Sequence, residues 1–569
     1  MAQQGRQSRV ALALMLVFSM LVVATISTVT GLDELARRRL TPRDISAYVG
    51  QHVVWGACNK QLRLPDLVDS VVGLETYNCA KVRVPANYLG TEPTPDFEIR
   101  LMRRHKVGAP DNLPLIVVNP GGPGGSGIEQ VQWSQFPDAL TDKYDFVGFD
   151  PRGVGASTLE GGKNISCSKL LTFRKNFGGG FVHNDGEYQN WLTRNNDYYR
   201  DCAAKNPFWF TLSTENVVRD LDLIRQATQG DRPLNYIGSS YGAFIGALYA
   251  TRYSKHVSKL VLDSPAEMTN DEVKSAKHWY TTQEKTLNGF LHQYAKYSGI
   301  TDDEAYKRLL QSKKWAEQGK TIGFLGTETI RKEVDGTWIT KGNAALISDG
   351  IIALNYEDKF RAQMDFDYAL DQLYLEKDNT FFEGLAAWYY QINFENKGKP
   401  AIHEGEIERS NAWEVMYIVD TMDYTPIDGG LTDTQSKKAK KKLKKIAPKW
   451  WAINSPSNHY HYKGNDHGLS WASMAFSDPN VPDPATAYPK VTNKVGSHIL
   501  VVGSLNDPVT PYPGAEALAK QLAAGLISVD ANVHGIAGDY SNRCVNENLL
   551  TFFDSAPATV KSTSCPAAK

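Results

Sequence analysis

The sequence predicts an α/β protein: a mostly parallel central sheet flanked by helices, interrupted by one long insertion. Three observations predict it. Short unbroken apolar runs end abruptly in turns rich in Gly, Pro and Asp, helix-like segments separate them, and one stretch of about 220 residues lacks this rhythm. Apolar runs buried on both faces belong to interior parallel strands, which need helical crossovers between them.

Each element has a local signal. CAKVRVPANY and FEIRLMRRH alternate polar and apolar residues, as strands with one wet face do. Leu113–Val118 is continuously apolar and stops at Asn119-Pro120-Gly121-Gly122-Pro123-Gly124-Gly125. The same form recurs in YDFVGFDPRGVGAS, PLNYIGSSYGAFIGALYA and HILVVGSLNDPVTPY, with KLVLDSP closing the second of these. Asp150 and Arg152, in the first of them, read as structural residues that hold loops near a site. From about Pro265 to Pro484 the chain is rich in Trp, Tyr, Lys and Glu, with helix-like stretches such as TTQEKTLNGFLHQYAKYSG and AQMDFDYALDQLYLEK. The expected organisation is a leader at 1–32, a linker at 33–54, an α/β core at 55–265 and 486–569, and an inserted domain at 266–485. SKKAKKKLKKIAPKW reads as a solvated helix face that ends before Pro448.

Composition bounds the function. The 569 residues are 42% hydrophobic and 22% charged, which is globular usage. Lys+Arg 62 against Asp+Glu 63 leaves a net charge of -1, so no whole-chain field argues for nucleic acid. Arg6 and Arg9 precede an uncharged stretch, Val10–Leu32, that suits a cleaved secretory signal or a retained anchor. Either puts the remainder outside the cytoplasm, and membrane association is expected only through that segment. A monomer is expected.

The six cysteines, Cys58, Cys79, Cys167, Cys202, Cys544 and Cys565, all lie beyond the apolar segment. They fall into three neighbouring couples, and local disulfides 58–79, 167–202 and 544–565 are the simplest pairing. None forms CxxC, and the cluster His459, His461, Asp466 and His467 fits no zinc spacing, so no metal and no cofactor are expected.

The chemistry centres on Gly238-Ser239-Ser240-Tyr241-Gly242, a G-x-S-x-G sequence between a strand-like and a helix-like segment. A sharp strand-to-helix turn would lift the Ser240 hydroxyl clear of the sheet. A serine needs a base, and the base an acid to fix its tautomer. With the chain order Ser, acid, His, the filter is severe. Asp507 follows the last apolar strand, and His534 is the only histidine after it. Ser240, Asp507 and His534 are therefore the expected catalytic residues. The Gly-rich turn after Val118 supplies the expected oxyanion hole, from the N–H of Gly122, with Gly121 the alternative, and that of Tyr241.

These motifs, NPGGPGGSG, FDPRGVGAS, GSSYGAFIGALYA, GSLNDPVTPY and HGIAG, occur in an order that resembles the secreted tripeptidyl aminopeptidase branch of the proline-iminopeptidase family. The resemblance implies an α/β-hydrolase fold with a helical cap, and a serine exopeptidase acting on peptides with a free N-terminus. It gives Ser240, His534 and Asp507 the same three roles. A cap carboxylate is the usual partner for the substrate ammonium, and Glu267 and Asp420 are the residues expected to serve. Two rivals stand beside this reading: a secreted carboxylesterase or lipase with the same triad, and a non-catalytic binding protein on the same fold.

Overall fold

The computed structural model describes residues 42–58, 75–89, 95–165, 202–267, 272–389, 433–454, 495–537, 542–555 and 562–566, less 135, 325–328, 335–336 and 358, with 415–416, 418–419 and 491–492 besides. The leader at 1–32, Cys167, Asp420 and the His459–His467 cluster lie outside these residues.

A ten-stranded sheet forms the core. Its strands are β1 (Glu75–Pro85), β2 (Asp96–Lys106), β3 (Leu115–Asn119), β4 (Asp145–Phe149), β5 (Thr158–Leu159), β6 (Leu234–Ser239), β7 (Val257–Asp263), and, after the insertion, β11 (Ile499–Ser504), β12 (Gly525–Val529) and β13 (Thr563–Cys565). The order is β1-β2-β4-β3-β6-β7-β11-β12-β13, with β5 on β2. Every pair from β4 to β13 is parallel, while β1, β2 and β5 are antiparallel.

The unbroken apolar runs have a physical cause. Successive residues of a strand point to opposite faces, and both faces of this sheet are covered. Leu115 and Val117 of β3, Leu260 and Leu262 of β7, and Ile499 and Val501 of β11 enter one core. Their neighbours Ile116, Val118, Val261, Leu500 and Val502 enter the core on the other face. Helices supply the cover: α1 (Gly127–Trp133), α2 (Thr214–Gln229), α3 (Tyr241–Arg252), and later α11 (Pro513–Leu522) and α12 (Arg543–Asp554).

Between β7 and β11 no described strand joins the main sheet. This segment contains α4 (Glu272–Ser298), α5 (Asp302–Glu317), α6 (Ala345–Ala353), α7 (Lys359–Asp371), α8 (Thr380–Tyr389), α9 (Asp433–Ile446) and α10 (Pro448–Asn454). It buries its own core around Leu287, Leu291, Tyr294, Phe366, Phe382 and Trp450. It also holds a small sheet, β8 (Ile322–Gly323), β9 (Thr329–Val334) and β10 (Thr337–Lys341), which the residue pattern did not signal. The lysine run is α9; Ala439 and Leu443 are buried while Lys438, Lys441, Lys442, Lys444 and Lys445 face water. The helix stops at Ile446, and Pro448 opens α10, where its missing N–H costs nothing.

The span read as a linker differs from expectation in its described part. Residues 42–54 lie on the core: Val53 N donates to Ala227 O at 3.0 Å, and Ile45, Tyr48 and Val53 pack against the apolar cluster. The apolar side chains scattered through this polar segment have somewhere to go only in the tertiary structure.

Disulfides tie the two edges of the sheet to their neighbours: Cys58–Cys79 holds β1 to the segment before it, and Cys544–Cys565 holds β13 to α12. Cys202 is also disulfide-bonded, and its expected partner Cys167 lies outside the described residues.

Candidate active site

The site is assembled at the C-terminal edge of the parallel strands, where such sheets place ligands. Ser240 stands between β6 and α3 with φ 57° and ψ -122°, a strained conformation for a residue with a side chain. Its N–H donates to Asp263 O of the neighbouring strand at 2.9 Å. The two motif glycines are demanded by space. A Cβ on Gly238 would lie 2.3 Å from Gly242 O, and one on Gly242 would lie 2.4 Å from Asn119 O. Strand, turn and helix thus touch backbone to backbone.

Beside the turn runs the loop after β3. The Gly121 N–H donates to Asn119 Oδ1 at 3.0 Å, and Gly121 and Gly122 have φ 99° and 103°. A Cβ on Gly121 would stand 2.9 Å from Tyr241 N, so this loop and the first amide of α3 share one small space. Asp150 braces this loop from below. It accepts from Ser126 Oγ at 2.5 Å and from Ala156 N at 2.8 Å, joining the cap of α1 to the turn after β4. Burial pushes its carboxyl up to about 6 against these hydrogen bonds. Arg152 and Asp220 form a buried pair just behind.

Asp507 follows β11 in a tight turn. Its Oδ1 accepts from the N–H groups of Val509 and Thr510 at 2.9 and 2.8 Å, and the residue is 1% exposed. His534 follows β12, and its Nδ1 lies 3.2 and 3.1 Å from the two Asp507 oxygens. Burial lowers the basicity of this imidazole, but the charge and hydrogen bond of Asp507, with Asp263 beyond, outweigh it and leave the pKa raised. Tyr356, from the inserted segment, sets its ring edge-on to His534 at 5.8 Å. The structure thus brings Asp507 and His534 into direct contact. No hydrogen bond joins the Ser240 hydroxyl to His534 among the described residues, a looseness common in substrate-free sites.

Three neighbours were not singled out in the sequence. Thr510 Oγ1 lies 3.0 Å from Asp507 Oδ2, 3.1 Å from His534 Nδ1 and 2.9 Å from Ser264 O. Ser264 Oγ accepts from Gly535 N at 3.0 Å. Asp263 Oδ2 accepts from Ile536 N and Ala537 N at 2.7 and 2.9 Å. The available signal was position alone: Asp263 and Ser264 end a strand, at the edge where site residues gather.

Glu267, expected to receive a substrate ammonium, is already partnered. His278 Nδ1 lies 2.8 Å and Lys274 Nζ 3.0 Å from its carboxylate, which is 5% exposed. Asp420 lies outside the described residues. No cluster of three metal-ligating side chains occurs among the described residues.

Comparison with known proteins agrees with this architecture. Residues 114–299 match the family described as "alpha/beta hydrolase fold", and residues 467–565 match the family described as "TAP-like protein". A tripeptidyl aminopeptidase of Streptomyces lividans is 26% identical over 79% of this chain and 76% of its own. Serine protease Hip1 of Mycobacterium tuberculosis is 24% identical over 94% and 93%. A protein of the same organism named carboxylesterase B is 23% identical over 88% and 87%. The chain is a serine hydrolase of the α/β-hydrolase fold whose C-terminal part matches the TAP-like family and whose relatives include proteins named tripeptidyl aminopeptidase.

Proposed function

We propose that the protein is an extracytoplasmic exopeptidase that releases short peptides, tripeptides above all, from free N-termini through an acyl-enzyme. The observation that carries this reading is the Asp507–His534 pair beside the strained Ser240 turn, in a chain whose relatives include tripeptidyl aminopeptidases. Ser240 Oγ attacks the scissile carbonyl while His534 Nε2 takes its proton. Asp507 holds the proton on Nδ1 and stabilises the imidazolium. The developing oxyanion receives the N–H groups of Gly122 and Tyr241, since the Gly121 N–H is committed to Asn119. His534 then protonates the leaving amine, and water repeats the cycle on the acyl-enzyme.

The inserted segment acts as a cap. Gln283 Nε2 of α4 donates to Pro508 O at 2.6 Å, Lys285 bonds Asn506, and Tyr356 meets His534. A covered site favours a chain end over the middle of a folded protein. The ammonium of that end needs a carboxylate. Glu267 serves if the ammonium displaces Lys274, and Asp420 is the second candidate. The disulfides and the apolar leader support an oxidising, extracytoplasmic compartment.

The test compares peptide arylamides of one to four residues with and without an N-acetyl group. Unblocked substrates should win by about 30- to several-thousand-fold in kcat/KM, with three residues the favoured length. Equal rates on both remove the aminopeptidase reading. Hydrolysis confined to simple acyl esters selects the carboxylesterase alternative, to which the third relative lends support.

A further inference from the structure

Asp263 is the last residue of β7 and is fully buried. Its backbone and its side chain face different parts of the site. Through the sheet it pairs with Ser239 of β6, and its carbonyl oxygen accepts the Ser240 N–H at 2.9 Å. Through Oδ2 it accepts Ile536 N at 2.7 Å and Ala537 N at 2.9 Å, with Ser239 Oγ at 3.4 Å. One residue therefore grips both the turn that carries Ser240 and the loop that carries His534. The other carboxyl oxygen, Oδ1, is buried and accepts no hydrogen bond among the described residues.

A carboxylate is an odd choice for a clamp of this kind. A backbone carbonyl or an asparagine oxygen could accept two amides without carrying a charge into the core, where an ion is costly. Asp263 stands beside a histidine that must become a cation during the reaction. Burial pushes its carboxyl up to about 6, against the pull of the Ala537 and Ile536 amides, so it is charged above that pH. The charged groups that face it are His534, which favours its ionised form, and Asp507, which opposes it. A second anion near the imidazole stabilises the imidazolium that forms when Ser240 loses its proton, and two fixed amides set the ring's reach toward Ser240.

We propose that Asp263 is a positioning residue for His534, clamping residues 534–537 against the Ser240 turn and adding its negative charge to that of Asp507 in support of the protonated imidazole. The proposal rests on the reading of His534 as the general base.

Asp263→Asn tests it, because the amide oxygen can still accept Ile536 and Ala537 while the charge is removed. Turnover of an unblocked peptide arylamide should fall on the order of tenfold, with KM little changed. The acidic limb of kcat/KM should move to lower pH, since removing an anion makes the histidine less basic. Ser264→Ala separates the two contributions. It removes the acceptor of the Gly535 N–H, loosens the same loop and leaves the charge in place, so turnover should fall while the acidic limb stays. An Asp263→Asn enzyme with parental turnover and an unmoved limb overturns the proposal. Should that variant fail to fold, Asp263→Glu keeps the charge but displaces the oxygen that accepts Ile536 and Ala537, so its turnover should fall, and parental turnover there overturns the proposal. A parent enzyme with no acidic limb defeats a different claim, the base assignment itself.

Discussion

Gly121 is pressed against the turn that carries Ser240: a Cβ at Gly121 would stand 3.0 Å from the Ser240 Cβ and 2.5 Å from Ser239 O. The contact couples the loop after β3 to the nucleophile turn. With φ 99° the position is also one that only glycine adopts without strain. Gly121→Ala should cost about 1–3 kcal/mol of stability. It should also lower kcat by about a hundredfold or more, because the oxyanion donors move with the loop. Gly108→Ala is the control: φ is 84° and nothing lies within 4 Å, so thermal stability should drop and kcat should not.

Ser240 carries its own strain, with φ 57°. Ser240→Ala should leave a folded protein and remove turnover by about 10⁶. Ser240→Gly should be equally inactive but more stable than Ser240→Ala, by roughly 1 kcal/mol, because glycine accepts this conformation freely. Thermal melts of the two variants read the difference, and a serine-directed phosphonate should label the parent at Ser240 alone.

The raised pKa of His534 fixes the direction of the pH profile. Burial opposes the charge, and Asp507 more than restores it. The base must be neutral, so kcat/KM should fall as pH drops through a value above the ordinary 6.5. Stability runs the other way. The protonated, Asp507-paired histidine contributes fully below about pH 6.5, and that contribution is lost as pH rises through the folded-state value. Asp507→Asn should lower turnover by about 10⁴ with the fold retained. A profile flat from about pH 4 to 8 would leave no place for a histidine base.

Arg152 uses its whole guanidinium. Nε and Nη2 bond the two Asp220 oxygens at 2.7 and 2.6 Å, Nη1 bonds Ala86 O and Thr211 O, and Nη2 also reaches Pro85 O. All are buried, joining β1, the turn after β4 and α2. Arg152→Met leaves Asp220 charged and without this partner in the interior and should cost about 3–5 kcal/mol. Arg152→Lys should recover little of this, since an ammonium cannot reproduce the planar fork. Urea unfolding midpoints report both.

Cys544–Cys565 closes the segment that follows the His534 loop and fastens β13 to α12, with a sequence separation of 21. A loop of this length is worth roughly 3 kcal/mol in the chain-entropy account. The Cys544→Ser, Cys565→Ser double variant should melt well below the parent, with activity lost before global unfolding because the histidine loop is next to be released. Identical melts with and without the bond would show that it does not brace the site.

Much of this was legible in the chain itself. The apolar runs announce interior strands because a strand covered on both faces cannot alternate, and the glycines of G-x-S-x-G mark a place where backbone meets backbone. Chain order left a single histidine, His534, after Asp507, and the proximity of Cys544 to Cys565 already suggested their bond. What tertiary structure alone decided is which groups share a space across sequence distance. Asp263 lies 23 residues after Ser240 and 271 before His534, yet it bonds both the serine turn and the histidine loop. Thr510 bridges Asp507, His534 and Ser264 for the same reason, that parallel strands bring their C-terminal ends side by side whatever lies between them. Glu267 reads as a free carboxylate in the sequence, but folding of α4 puts Lys274 and His278 beside it, because a buried charge must be paired. Local pattern dictates where strands and turns begin and end; the partners of a buried polar group are settled only when the sheet closes.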